Sequence, residues 1–308
     1  MTKKTDFNIE NKKNKSGSQG VWWHKENIGP LKNLSFIKHF GSMKFSKVNM
    51  DKNMLPHLND GIEIHFVHSG KYNWVIEDKK IELLTDNLSV SAPWHLNGSP
   101  TGKMDIGKIN WLVIKPKIFT LTEPLDLGTW TKLPHAFQES LGNLIAHDKN
   151  FVIEKAKTFK KYFIELEKEL TNQNEGYEVM VGNIIENLLI DLHRHLSLKQ
   201  QQDIEEDNFT NKLTQIILAD LNKKWIIDDL AYMFGMGKTK FTYEVKKLTG
   251  YPPNSFIIQL KIQKAIDLIE EGSMKMSDIA FACGFSSLQH FTATFSQRIG
   301  VSPSRYGR

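Results

Sequence analysis

Residues 231–256 read AYMFGMGKTKFTYEVKKLTGYPPNSF, and residues 280–306 read AFACGFSSLQHFTATFSQRIGVSPSRY. The two stretches share a skeleton. In the first, Ala231, Gly235, Phe241, Val245, Gly250, Pro253 and Phe256 mark it out. In the second, Ala280, Gly284, Phe291, Phe295, Gly300, Pro303 and Tyr306 take the same order, with one inserted residue. Self-similarity of this kind marks a duplicated supersecondary unit.

Each copy carries the parts of two helices joined by a tight turn. The first helix, predicted over 227–234 and 276–283, places a small alanine inward so that a second helix can cross closely. Gly235 and Gly284 suit the left-handed turn that ends a helix. The second helix is predicted over 238–248 and 288–299. Its expected buried face is Phe241, Val245 and Leu248 in copy one, and Leu288, Phe291, Phe295 and Ile299 in copy two. A predicted helix over 254–271 joins the copies. The outer faces are polar: Lys238, Thr239, Thr242, Tyr243, Lys246 and Lys247, then Ser287, Gln289, His290, Thr292 and Arg298. Two such helices about 34 Å apart would enter successive major grooves of a duplex. A helical bundle with solvated outer faces is the alternative reading of the same pattern.

Charge favours the duplex. Residues 209–308 hold 13 Lys+Arg against 8 Asp+Glu, whereas the whole chain has 40 and 35, which leaves 27 of each in residues 1–208. The entire positive surplus lies in the last third, where it would neutralise phosphates and release counterions.

The segment Gly284-Phe285-Ser286-Ser287, then His290-Phe291, Phe295 and Gly300-Val301-Ser302-Pro303-Ser304-Arg305-Tyr306 resembles the signature of the AraC/XylS family of bacterial regulators. Leu248-Thr249-Gly250-Tyr251-Pro252-Pro253, followed by Lys261, Ala265 and Leu268, is similar to that family's first unit and linker helix. The resemblance covers residues 209–308. It implies a seven-helix DNA-binding domain, promoter or operator DNA as partner, a role in transcription regulation such as activation, and RNA polymerase as a further partner. Two positions depart from it. The family carries an arginine on each recognition helix where this chain has Tyr243 and Ala293, and alanine offers no bidentate contact to guanine. The arginine the family places after the last tyrosine is also displaced, since Gly307 precedes Arg308. Gln289 is suited to adenine and Thr242 to a thymine methyl. His290 is either a base reader or a solvated side chain. Lys238, Lys246, Lys247 and Arg298 are expected on phosphates.

Upstream, the pattern is that of an α+β chain. Residues 1–25, rich in Lys, Asn, Ser and Gly, are expected as a disordered tail. Residues 26–199 are expected as a sensing and dimerisation domain, 200–208 as a polar linker, and 209–308 as the DNA-binding domain. Short strands are predicted over 62–67, 72–76, 81–84 and 109–114, with turns at Ser69-Gly70 and Asp86-Asn87. Amphipathic helices are predicted over 135–146, 151–170 and 179–196. The resemblance implies that this region is a cupin-like β-barrel that senses a small-molecule effector, followed by helices that pair two subunits into a homodimer. Packing of those helices on their own barrel alone is the alternative reading.

Glu63-x6-Gly70 has the spacing of part of a first cupin motif, and Pro93-Trp94-His95 resembles part of the second. The paired His-x-His of metal cupins is absent. The candidate pocket residues are His57, Glu63, Tyr72, Trp74 and His95, and the aromatic ones serve as well for core. His57, Glu63 and His95 also suit a transition metal, which gives the alternative reading of a cupin-type metalloenzyme with an appended helical domain. Otherwise no metal, cofactor or enzyme activity is expected: no Gly-rich phosphate loop, nucleophile elbow or cysteine pair is present. The single Cys283 fits a reducing cytoplasm, and no run of about 18 apolar residues suggests a membrane span.

Overall fold

The computed structural model describes residues 18–26, 29–48, 54–148 and 150–307. The chain divides into two units, Met1–Gln200 and Gln201–Arg308. The first is built on an antiparallel sheet: β1 Ser18–His24, β2 Ile37–Phe45, β3 Ile62–Ile76, β4 Lys79–Leu84, β5 Leu88–Ser91, β6 Asn97–Gly98, β7 Gly107–Ile114 and β8 Val152–Ile153. The strand order is β1-β2-β7-β3-β5-β8, with β4 and β6 also paired to β3. Three helices accompany the sheet: α1 His135–His147 before β8, then α2 Lys160–Asn172 and α3 Tyr177–Ala219.

Alternation along the strands sorts the sheet's two faces. Ile62, Ile64 and Phe66 of β3 join Leu112 and Ile114 of β7 in a core closed by Leu141, Phe163, Leu166, Ile185, Leu188 and Leu192 of the helices. Val67 of β3 and Ile109 of β7 turn the other way. They pack with Met43, Tyr72, Trp74 and Trp111.

Four expectations change here. Of the stretch 1–25 expected as a tail, residues 1–17 lie outside the described residues, and Ser18–His24 is a strand paired with His39–Phe45 of β2. Ser69-Gly70 is no hairpin turn. The predicted strands 62–67 and 72–76 are one 15-residue strand, and its register on β7 shifts between Val67 and Ser69. That bulge lets one strand pair with β5 through Glu63–Phe66 and with β4 beyond Gly70. Residues 151–156 are not helical: Phe151 and Lys155 have φ of 58° and 54°, and a single 3-10 turn, Lys157–Phe159, precedes the α-helix that starts at Lys160. The stretch 200–208, read as a linker, lies wholly within α3, which runs unbroken for 43 residues. Its Gln, Asp and Glu residues are polar but helix-compatible, so polarity signalled exposure rather than a break.

The second unit comprises the end of α3 and six further helices: α4 Ile227–Met233, α5 Lys238–Thr249, α6 Pro253–Glu271, α7 Met276–Ala282, α8 Leu288–Ile299 and α9 Pro303–Tyr306. It holds two cores. Leu213 and Ile217 of α3, Leu230, Ala231, Phe241 and Val245 form the first, with Phe256 and Ile257 of α6. Ile262, Ala265 and Ile269 of the same α6 enter the second, with Ile279, Ala280, Phe285, Phe291 and Phe295. Among the helix faces predicted to be buried, Leu288 is the exception. It is 39% exposed at the start of α8.

The copies differ at their turn glycines. Both are left-handed, with φ of 62° at Gly235 and 71° at Gly284. A Cβ on Gly235 would meet nothing within 4 Å, whereas one on Gly284 would lie 1.9 Å from the Leu221 carbonyl oxygen. The carbonyl of Gly284 accepts a hydrogen bond from Lys261 Nζ of α6 at 2.7 Å. Gly284→Ala should therefore destabilise far more than Gly235→Ala. Backbone strain alone costs about 1–2 kcal/mol, and the forced contact adds about 1–3 kcal/mol. Urea midpoints of the intact variants, followed by helical circular dichroism, check the ranking. Equal losses would contradict it.

Candidate nucleic-acid interface

In each copy the first helix exists to seat the second. Asp228 and Asp229 occupy the first turn of α4, where carboxylates complement the helix dipole. Ala231 and Ala280 are 1% and 0% exposed, so nothing larger than a methyl separates the crossing helices. Phe241 and Val245, then Phe291 and Phe295, hold α5 and α8 by one face. The other face is left outward. Gly250 and Gly300 end both helices in left-handed caps.

On α5 the predicted residues fall on that outer face. Lys238, Thr239, Tyr243, Lys246 and Lys247 are exposed and Thr242 is half-buried. Two of the cations are engaged. Lys238 pairs with Asp228 at 2.8 Å, and Lys247 pairs with Glu206 of α3, whose hydrogen bond raises the lysine pKa. Lys246 makes no ion pair among the described residues. Lys240, which sequence reasoning passed over, is also exposed on this helix.

On α8, Gln289, His290 and Arg298 are exposed, and Ser287 and Thr292 are half-buried. Ser287 caps the helix: its Oγ accepts from the His290 backbone N–H at 3.1 Å. The His290 ring stands edge-on to Phe285 with centroids 5.5 Å apart, and its Nδ1 lies 3.4 Å from Ser286 Oγ. Those contacts anchor the ring to its own turn. The Arg298 guanidinium lies 6.0 Å from the centroid of the Tyr251 ring. Ala293 is exposed and leaves the middle of α8 without a long polar side chain. Leu288 shares the helical face of Phe291 and Phe295, but as the first residue of α8 it lies at the edge of that core and is half open to solvent.

The residues predicted to line a pocket are only partly brought together. His57 Nδ1 lies 2.8 Å from the Leu55 carbonyl and its Nε2 lies 3.3 Å from Asn59 Nδ2. The same Asn59 amide donates to Glu63 Oε2, so His57 and Glu63 share a mediator. His95 is engaged elsewhere: Nδ1 accepts from the Ala92 N–H at 3.1 Å, and its ring stands edge-on to Phe151. Burial holds His95 below the usual histidine range and pushes the Tyr72 phenol above its own. Tyr72 and Trp74 are each 1% exposed within the apolar cluster. Among the described residues, no three His, Cys, Asp or Glu side chains come together as a metal site, so His57, Glu63 and His95 do not form one. Sequence reasoning missed His65, Ser89 and Ser91, which are buried beside Glu63. Strand alternation from Glu63 would have found His65.

Residues 230–308 match the family model described as helix-turn-helix domain. The HTH-type transcriptional regulator MtrA of Neisseria gonorrhoeae is 26% identical over 151 residues, 46% of this chain and 48% of that protein. The HTH-type transcriptional regulator ExsA of Pseudomonas aeruginosa is 35% identical over 82 residues, 27% of this chain and 30% of that protein. The chain thus spans about half or less of the length of the curated relatives it matches. A solved transcriptional regulator with an AraC-type DNA-binding domain from Chromobacterium violaceum is 25% identical. It covers 32% of this chain and 87% of that one, with a TM-score of 0.30. With the duplicated turns, the inward alanines and the two outward polar helices in place, residues 230–308 are a helix-turn-helix domain.

Proposed function

We propose that this protein is a sequence-specific DNA-binding transcription regulator that answers to a small-molecule effector held in its first unit. The observation that carries the reading is the pair of outward polar helices, α5 and α8, each seated on a core to which α6 contributes. The positive surplus confined to residues 209–308 supports it, and so do the names of MtrA and ExsA as transcriptional regulators.

In this reading α5 and α8 enter adjacent major-groove segments of promoter or operator DNA. Gln289 addresses adenine, and Thr242 and the exposed Leu288 meet thymine methyls. Lys238, Lys240, Lys246, Lys247 and Arg298 set register on phosphates, with Thr239, Ser287, Thr292 and His290 at the margins. Tyr243 and Ala293 make no bidentate guanine contact, so specificity leans on apolar and amide contacts. The first unit, which we read as cupin-like, binds the effector. Apolar residues exposed on α2 and α3, such as Ile164, Val179 and Met180, offer a surface for pairing two subunits. Recruitment of RNA polymerase as an activator in the cytoplasm completes the proposal. The metalloenzyme alternative has no observation in its favour.

Gel-shift titration of the intact protein on promoter DNA, with unrelated DNA as competitor, tests the reading at two salt concentrations. No binding at low salt would overturn it. Lys246→Ala should flatten the plot of log affinity against log salt by about 0.9 for the lost phosphate contact. Glu206→Gln should strengthen binding and steepen that slope, because Lys247 is released from its carboxylate partner. Ala293→Arg should favour sites with guanine under α8 by about 1–3 kcal/mol, readable as a shift in the sequences selected from random DNA.

A further inference from the structure

We infer that the interior of the first unit binds a small organic cation, of the amino-alcohol class, at the Glu63 carboxylate. The identification of this cation as the effector rests on the regulatory reading above. The binding site itself does not.

The strand register lays the site out. Cross-strand partners share a face. One row across β1, β2, β7, β3 and β5 is therefore Trp22, Gly41, Trp111, His65 and Ser89. The next row is His24, His39, Val113, Glu63 and Ser91. Gly41 leaves room for its neighbour: an added Cβ would fall 2.1 Å from the Trp111 ring. Trp22 stands edge-on to Trp111 at 5.7 Å, and His65 stands edge-on to Trp74 at 4.9 Å. Glu63, His65, Ser89 and Ser91 are each at most 3% exposed. This is a block of polar groups set into an aromatic interior.

The block has no cation to match its carboxylate. Asn59 Nδ2 donates to Glu63 Oε2, and His65 Nε2 stands 3.5 Å from Oε1. Burial holds His65 below the usual histidine range, against the pull of Glu63. Burial and the neighbours His24, Lys38 and His57 hold His39 at about 3. Burial therefore disfavours the charged form of both rings. No Lys or Arg pairs with Glu63 among the described residues. A buried carboxylate in this setting is costly until a cation joins it. Ser89, Ser91 and Trp111 share this face with Glu63 and His65, and hydroxyls and indole rings both favour an ammonium group. The Trp74 Nε1–H is buried without an acceptor among the described residues, which calls for an oxygen on the same ligand. Ammonium and oxygen together define an amino alcohol.

Calorimetric titration of the intact protein with choline and ethanolamine, against 3,3-dimethyl-1-butanol, is the test. The last is choline with carbon in place of the charged nitrogen. We expect saturable binding of at least one cation, with the neutral isostere weaker by about thirtyfold or more. Glu63→Gln should weaken the cation by a similar factor. Where that variant fails to fold, Trp74→Phe, whose loss of stability is followed separately by its urea midpoint, should weaken the cation several-fold while it remains folded. Equal binding of choline and its isostere, no binding by either cation, or stoichiometric uptake of zinc in their place would each overturn the inference. A gel shift with the cation at saturation separates the two claims. Cation binding with unchanged DNA affinity would remove the effector role and leave the site standing.

Discussion

Helix α6 is the constraint on which the second unit depends. Its 19 residues place Phe256 and Ile257 in one core and Ile262, Ala265 and Ile269 in the other. Neither helix-turn-helix is large enough to bury a core unaided, since small domains leave too much apolar surface in water. The first borrows Leu213 and Ile217 from the end of α3. The second leans on Leu221 and Lys261 through Gly284. The two copies are therefore not independent modules on a string. Their recognition helices are held by a shared element, and the spacing between them is a property of packing.

That sharing explains why duplicated sequence does not give duplicated environment. Gly235 faces open space and Gly284 faces a carbonyl. The ammonium of Lys261 gives up solvation to reach the Gly284 carbonyl, and burial lowers its pKa accordingly. Ser287 caps α8 through its side chain, whereas Gly237 stands at the same place before α5 with no side chain to offer. The second copy is thus the more tightly specified, with a cap, a lysine bridge and a close backbone approach. The first copy is more open, and its cations Lys238 and Lys247 are paired with carboxylates of α4 and α3.

The legible parts of this fold were those set by local geometry. Helices α4 to α8 could be read because apolar residues recur at helical spacing and glycine marks each end. The parts that were not legible depend on partners remote in sequence. Nothing local distinguishes Ser69-Gly70 as a bulge from Ser69-Gly70 as a turn; that is decided by β7, whose register it shifts. Phe151 and Lys155 fit a helical period, yet their left-handed backbones serve the short pairing of β8 with β5. Residues 200–208 looked like a linker because they are polar. A solvated helix is polar too, and only its flanking apolar turns reveal it. Ser18–His24 looked like tail because its neighbours upstream are polar, although β1 needs only β2 beside it.

The same distinction governs the functional sites. The outward face of α5 follows from Phe241 and Val245 by rotation about the helix, so its lysines and Tyr243 could be placed without coordinates. The interior of the first unit could not. Glu63 and His65 share a face by alternation, but their relation to Ser89, Ser91 and Trp111 exists only through register. Trp74 reaches His65 because β3 bends past the bulge at Ser69. A carboxylate in such a place cannot be explained as surface solvation or as a partner in an internal ion pair with lysine or arginine. Asn59 and His65 hold its two oxygens, and the surrounding hydroxyls and indole rings are those that receive a cation.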